Sequence, residues 1–209
     1  MKSFSIKIIG IFFAIASLVI SCDKVYYYYT TSYVQQYYLM CGINLKSDGS
    51  NKITLYPNYD SSVSFLSTGE DKVLYKSICE LSGDTSYNSD ISLIMDIMTV
   101  SCTYPDVSSI NVISDSDFDE QHPAGSSLND CINITFTCAY QYIQSGYNTQ
   151  ANQETKLLSE VTATELLLNT NFREFEFATN PTISDVHTIT FSLTTENGNV
   201  FEDSVECSF

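Results

Sequence analysis

The chain has 209 residues, of which 44% are hydrophobic and 13% aromatic, and its formal net charge is −16 at pH 7. This hydrophobic content excludes an acidic disordered chain, because there is enough apolar surface to offset the loss of chain entropy on folding. The negative charge argues against nucleic acid and anionic lipid headgroups as partners, since both would be repelled.

The first 22 residues have the features of a bacterial lipoprotein signal. Two lysines form a basic start, and the apolar run Ile8–Ile20 is shorter than the roughly 20 residues that a membrane-spanning helix needs. Val19-Ile20-Ser21-Cys22 is similar to the lipobox cut by lipoprotein signal peptidase. It predicts a signal peptide over residues 1–21 and a diacylated Cys22 that anchors the chain to the lipid bilayer. An ordinary secretory signal with an incidental cysteine is the alternative.

The composition after residue 21 is typical of a β protein. Tyr, Phe, Val, Ile and Thr dominate, Trp is absent, and short alternating segments recur between clusters of turn-forming residues. About ten strands with one short helix predict an all-β sandwich that forms a single domain over residues 22–209. The predicted strands are Val25–Tyr29, Val34–Cys41, Ile53–Tyr56, Val63–Leu66, Val73–Cys79, Ile91–Tyr104, Ile110–Ile113, Ile132–Tyr142, Phe172–Phe177, His187–Thr195 and Val200–Phe209.

The last two predicted strands form a hairpin, because Asn197-Gly198 between them is a tight-turn signal and both strands are amphipathic. The inner face of the first strand carries Ile189, Phe191 and Leu193. The predicted helix is Ala163–Leu168, whose start has a capping-box spacing. Gln144–Thr155 is polar and predicts a long exposed loop, or the boundary between two small sandwiches.

Six cysteines follow Cys22, and none of them forms a C-x-x-C pair. With only two histidines in the chain, the sequence gives little support for a zinc site. At least one disulfide is expected in an exported chain, without any pair being indicated, and the alternative is that several are small buried apolar residues. They are Cys41, Cys79, Cys102, Cys131, Cys138 and Cys207.

Three alternating acids, Asp115, Asp117 and Asp119, resemble the start of an EF-hand loop and are a weak candidate for a Ca²⁺ site. The resemblance then fails, because Glu120 occupies the position of the required glycine and Ser126 that of the bidentate glutamate. A solvated acidic loop is the favoured interpretation, so no metal or cofactor is predicted.

No catalytic residue is predicted, and a non-enzyme is expected. The chain has no G-x-S-x-G motif. His122 lies near Asp119 in the acidic loop, which is weak evidence for an acid–base pair. His187 begins the apolar face that continues as Ile189, which indicates a histidine at the edge of the core. A carboxylate pair of the glycosidase type stays open.

The tyrosine-rich start is a weak candidate for a binding surface, through Tyr26, Tyr28, Tyr33 and Tyr37. Exposed tyrosines stack on sugar rings or anchor protein partners, because each has a large apolar area and a polar tip. The favoured interpretation is a structural role, in which these rings cover a sheet or pair across strands.

Two segments, INVISDSDFDEQHPAGSSLND at residues 110–130 and HTITFSLTTENGNVFEDSVECSF at 187–209, resemble small lipoproteins of unknown function from Bacteroides-type bacteria. The resemblance implies an immunoglobulin-like β-sandwich at the outer membrane, with the membrane face undetermined, and it transfers no catalytic residue.

Three functions therefore remain in competition. The first is a lipid-anchored, non-catalytic module that binds a glycan or another envelope protein. The second is an envelope hydrolase that uses paired carboxylates. The third is a structural subunit of an outer-membrane complex.

Overall fold

The computed structural model describes residues 32–49, 51–88, 99–148, 152–168 and 174–209. The described residues are mostly β, with two sheets and two α-helices. The predicted signal peptide, Cys22 and the strand Val25–Tyr29 lie outside them. The strands are β1 (Val34–Ser47), β2 (Lys52–Ser64), β3 (Val100–Tyr104), β4 (Val107–Ser114), β5 (Ile132–Thr137), β6 (Gln153–Leu157), β7 (Glu174–Phe177), β8 (Val186–Thr195) and β9 (Val200–Ser208), and the helices are α1 (Gly69–Ser82) and α2 (Ala139–Gln144).

The larger sheet has the order β3-β1-β2-β7-β5-β6, and the smaller one has the order β4-β8-β9. All of their pairings are antiparallel except that of β1 with β3, which is parallel. The two sheets share one hydrophobic core, in which the rings of Phe175 on β7 and Phe191 on β8 meet edge to face with centroids 4.8 Å apart. The sequence prediction of a β-rich fold is therefore confirmed.

The predicted C-terminal hairpin is confirmed. β8 and β9 pair antiparallel from Val186 opposite Ser208 to Thr194 opposite Val200. The connecting turn contains Gly198 with φ 83°, a left-handed conformation that glycine adopts without steric cost. The residues predicted for the inner face are fully buried: Ile189, Phe191 and Leu193.

The strand predicted at Val73–Cys79 is wrong, because this segment lies inside the 14-residue helix α1. The buried residues of α1 recur at i, i+3, i+4 and i+7, which is the period of one helix face. They are Tyr75, Ile78, Cys79 and Ser82. The helix ends at Gly83, which has φ 72° and donates its N–H to the last turn. Neither described α-helix has the length and apolar character needed to cross a membrane.

Three other predicted boundaries differ from the structure. The strand predicted at Ile132–Tyr142 is β5 followed by α2, whose buried residues have helical spacing. The loop predicted at Gln144–Thr155 contains the start of β6, a polar strand at the edge of the sheet. The helix predicted at Ala163–Leu168 is a single 3₁₀ turn, with the Thr162 N–H bonded to Glu165 at 2.9 Å.

A β-bulge divides the long strand β1 between two cores. The pairing of β1 with β2 skips Cys41, so the alternation of side chains between the two faces of the strand shifts by one residue there. Val34 and Tyr37 point into a second core formed with α1 and α2. Ile43 and Leu45 point into the core between the sheets. Strand β2 runs along the same length and joins two segments that were predicted as separate strands.

All six described cysteines are free thiols, so the predicted disulfide is absent from the structure. Five of them are buried, and only Cys41 is exposed. Their placement matches the alternative, in which cysteine acts as a small apolar residue of the core.

Candidate functional site

A cleft of about 320 Å³ opens between α1, α2, the β3–β4 connection and the β8–β9 turn. This volume lies at the lower end of the range of about 300 to 1,000 Å³ that is usual for small-molecule sites. Its polar residues include Asp106, Glu196 and Asn197, and its apolar walls include Leu81, Tyr104, Pro105, Tyr140 and Leu167.

Asp106 is hydrogen-bonded to two other chain segments that line the cleft. Its backbone carbonyl accepts the N–H of Glu196 in the β8–β9 turn at 2.9 Å. Its side-chain Oδ1 accepts the N–H of Leu168 at 2.7 Å. Because both contacts use backbone groups, the carboxyl of Asp106 has a well-defined position in the cleft.

The pKa of the Asp106 carboxyl is shifted towards neutral pH. Burial raises the pKa of this carboxyl to about 6, the nearby negative charge of Glu196 acts in the same direction, and the hydrogen bond from Leu168 opposes them. A carboxyl with such a pKa in a cleft is a candidate for ligand recognition or for proton transfer.

Two aromatic side chains line the cleft beside the carboxyls. Tyr140 is half-buried and packs against both hydrophobic cores, and Tyr104 packs against the core beneath α1. On the same cleft, Leu81 leaves 77% of its surface exposed. Aromatic rings held by packing offer apolar area at little cost in conformational entropy, and the carboxyls supply hydrogen bonds next to them.

The three carboxylates predicted as a weak Ca²⁺ site do not form one ligand set. Asp115 accepts the N–H of Thr188 at 2.8 Å, and Asp117 accepts that of Ala124 at 2.8 Å. Asp119 accepts two N–H groups of the turn that follows it. Each carboxylate thus orders a different stretch of backbone, and the N–H that Asp115 accepts belongs to strand β8 and not to the loop.

His122 lies between two carboxylates. Its Nδ1 is 2.8 Å from Oδ1 of Asp119, its Nε2 is 3.2 Å from Oδ1 of Asp130, and the Sγ of Cys131 is 3.8 Å from both ring nitrogens. Partial burial lowers the pKa of His122, but the two carboxylates more than offset it, so the net pKa is raised. The sequence indicated Asp119 as a partner but not Asp130 or Cys131, because the loop folds back to bring them there.

His187 is a core histidine, as the sequence indicated. Only 1% of its surface is exposed, and its ring packs against Phe118. Its Nδ1 lies 2.8 Å from the Ser114 hydroxyl, and its Nε2 lies 2.9 Å from the Ser184 carbonyl oxygen. Because a carbonyl oxygen can only accept, Nε2 carries a proton and donates it to Ser184.

The candidate binding tyrosines that the structure describes are buried, which is the arrangement of the favoured structural interpretation and not of an exposed binding surface. Tyr33 and Tyr37 are 4% and 0% exposed and belong to the core beneath α1. The ring of Tyr37 packs at 5.7 Å from that of Tyr75 on the helix, which covers the strand face. Tyr26 and Tyr28 lie outside the described residues.

Comparison of the chain with protein-family models, with curated proteins and with solved structures finds no match. The resemblance to lipoproteins of Bacteroides-type bacteria stays a prediction.

Proposed function

We propose that this protein is a bacterial envelope lipoprotein, anchored to the outer membrane through acylated Cys22, whose β-rich body binds a glycan without catalysis. The observation that carries the proposal is the cleft at Asp106, in which half-buried tyrosines lie beside carboxyls and an amide. The anchor places this body outside the cytoplasm, where polysaccharides are the abundant polar ligands.

The chemistry of the cleft favours a sugar over a purely apolar ligand. Sugar rings have an apolar face that packs on an aromatic ring such as Tyr140, and hydroxyls that bond to carboxylates such as Asp106. The net charge of −16 and the two acids in the cleft disfavour acidic glycans. We therefore expect a neutral glycan, or one with amino groups.

The binding test uses the chain without residues 1–22 on an array of neutral, amino and acidic glycans, followed by calorimetry on the hits. Asp106→Asn is expected to weaken binding at least about tenfold, because charge-assisted hydrogen bonds contribute about 1.5 to 3 kcal/mol. Tyr140→Ala is expected to weaken binding by about tenfold, because it removes the ring on which the sugar packs. Tyr56→Ala is the control, since this tyrosine is 42% exposed on β2 and does not line the cleft.

Absence of binding to every glycan on the array would contradict the proposal that the protein binds a glycan. Capture of an envelope protein that depends on Tyr140 would then support the other binding function. The anchor is tested separately with Cys22→Ser, which is expected to abolish both the incorporation of labelled palmitate and the cleavage before residue 22. A variant that still incorporates the label would refute acylation at this position.

A carboxylate-dependent hydrolase is the second candidate, and one observation favours it. Asp106, whose pKa is about 6, lies near Glu196. Glycosidases pair a carboxylic acid of raised pKa with an ionised carboxylate. Glu196 is exposed on the hairpin turn, which makes it a weaker partner than a carboxylate held inside the cleft. Release of reducing sugar that is lost in both Asp106→Asn and Glu196→Gln would establish hydrolysis.

For the fold we propose an immunoglobulin-like sandwich with additions. Two sheets that share a core support it. The parallel pairing of β1 with β3 and the helix α1 depart from the two antiparallel sheets of that fold, and we treat them as additions to one edge. An experimental structure with a different connection between the two sheets would refute this assignment.

A further inference from the structure

Three side chains of different chemistry converge at the end of the acidic loop. One ligand atom each from Asp119, His122 and Cys131 lies within 4.8 Å of the others. The Nδ1 of His122 is 2.8 Å from the carboxylate and 3.8 Å from the sulfur. This cluster shares no residue with the cleft at Asp106.

These distances approach those of a tetrahedral metal site. Zinc binds nitrogen and oxygen at about 2.0 to 2.1 Å and sulfur at about 2.3 Å, which puts neighbouring ligand atoms about 3.3 to 3.6 Å apart. The observed separations from Nδ1 bracket this range, and all three ligand atoms lie within 4.8 Å of one another, so shifts of about one ångström would complete the geometry. We propose that Asp119, His122 and Cys131 bind a divalent transition metal, with zinc as the best match.

The ligand types decide the class of metal. A thiolate with an imidazole suits zinc or cobalt, whereas Ca²⁺ and Mg²⁺ take oxygen ligands almost exclusively. The proposal therefore differs from the weak Ca²⁺ site predicted at Asp115, Asp117 and Asp119, and shares only Asp119 with it.

Asp130 acts as a positioning residue for this site. Its carboxylate accepts a hydrogen bond from Nε2 of His122 at 3.2 Å, which leaves Nδ1 to face the metal. A histidine ligand commonly donates its second ring N–H to a carboxylate, which orients the ring and makes it more basic. The metal takes the place of the protons on Nδ1 and on the thiol.

The burial of the cluster leaves one side open. Cys131 is 4% exposed, whereas the side chains of His122 and Asp119 are 13% and 25% exposed. Three protein ligands with an open side leave a fourth position for water, as in zinc sites that are not closed by a fourth protein ligand.

The test is a titration of the detergent-solubilised full-length protein with Co²⁺ alone, followed by Zn²⁺ or Ca²⁺. We expect one Co²⁺ per chain with a thiolate-to-cobalt charge-transfer band in the near ultraviolet. Zn²⁺ is expected to remove the band, and Ca²⁺ is expected to leave it unchanged. Absence of binding, or displacement of Co²⁺ by Ca²⁺, would overturn the proposal.

Variants assign the ligands. Cys131→Ser and His122→Gln are both expected to abolish the band, and circular dichroism confirms that each variant is folded. Asp130→Asn is expected to keep the band but weaken Co²⁺ binding by about 10- to 100-fold, as is usual for the loss of such a partner. Cys41→Ser, at the exposed thiol on β1, is the matched control and is expected to bind like the wild type. A band that persists in Cys131→Ser would refute the site.

Discussion

Replacing Asp106 by asparagine is expected to stabilise the protein at neutral pH. Folding raises the pKa of this carboxyl from 3.8 to about 6, chiefly through burial. Between these values the folded state holds a proton that the unfolded state has lost, so stability falls as the pH rises. At about 1.4 kcal/mol per pH unit, the difference corresponds to about 3 kcal/mol at pH 7. Asparagine has no charge to bury, and its Oδ1 can still accept the N–H of Leu168.

The assay is urea unfolding of the wild type and Asp106→Asn at several pH values from 3.5 to 7.5. The two proteins should have similar stability at the acid end and diverge progressively through pH 4 to 6. Glu120→Gln removes one exposed acid from the surface and is the control, whose profile should follow that of the wild type. Parallel profiles for wild type and Asp106→Asn would refute the burial of an ionised carboxyl. A gain in stability with loss of glycan binding would indicate that the acid is kept for function.

Two further substitutions test the packing and the end of α1. Phe191→Ala removes a fully buried ring between the two sheets, so the free energy of unfolding should fall by about 3 to 5 kcal/mol. Thr190→Ala, on the outer face, is the control and should change it little. Equal effects of the two substitutions in urea unfolding would contradict the shared core. Gly83→Ala places a methyl group on a backbone with φ 72°, 3.2 Å from the side-chain amide of Gln144. The free energy of unfolding should fall by about 1 to 2 kcal/mol in the same measurement. An unchanged stability would show that α1 does not end there.

Local periodicity was sufficient to predict the strands that face the core between the sheets. In β8 and β5 the apolar residues alternate with polar ones, and every second residue is buried. The same rule failed at α1, because Val73 and Leu74 are apolar but face solvent at 66% and 37% exposure. Because these exposed residues are apolar as well, the helical spacing of the buried residues does not stand out in the sequence. The acids of the first turn and Gly83 at the end were the helix signals in that segment.

The cleft was beyond sequence reasoning for a different reason. Asp106 and Glu196 are far apart in the chain, and they meet because β4 pairs with β8 over its whole length. The register of such a non-local pairing depends on the packing of the complete core rather than on residues near either acid. The place of Tyr140 in the cleft was also beyond sequence reasoning. This tyrosine lies in the first turn of α2, in a segment that was predicted as part of a longer strand.

The core beneath α1 contains a carboxylate whose substitution is expected to be severely destabilising. Asp84 is fully buried and accepts hydrogen bonds from the N–H and hydroxyl of Ser86, from Tyr147 at 2.7 Å and from the Val34 N–H at 3.3 Å. These donors are neutral and come from β1, from the turn after α1 and from the segment after α2, so one side chain joins three parts of the fold.

Asp84→Ala removes the acceptor of the Tyr147 hydroxyl and of the Val34 N–H inside the core, where each unsatisfied group costs about 1 to 3 kcal/mol. We expect a loss of at least about 3 kcal/mol in urea unfolding, with Asp60→Ala on the exposed part of β2 as the control. Asp84→Asn keeps one acceptor oxygen but turns an amide N–H₂ towards donors, so it should be nearly as destabilising. If Asp84→Asn instead matches the wild type, the carboxylate is not what joins β1 to the segments after the two helices.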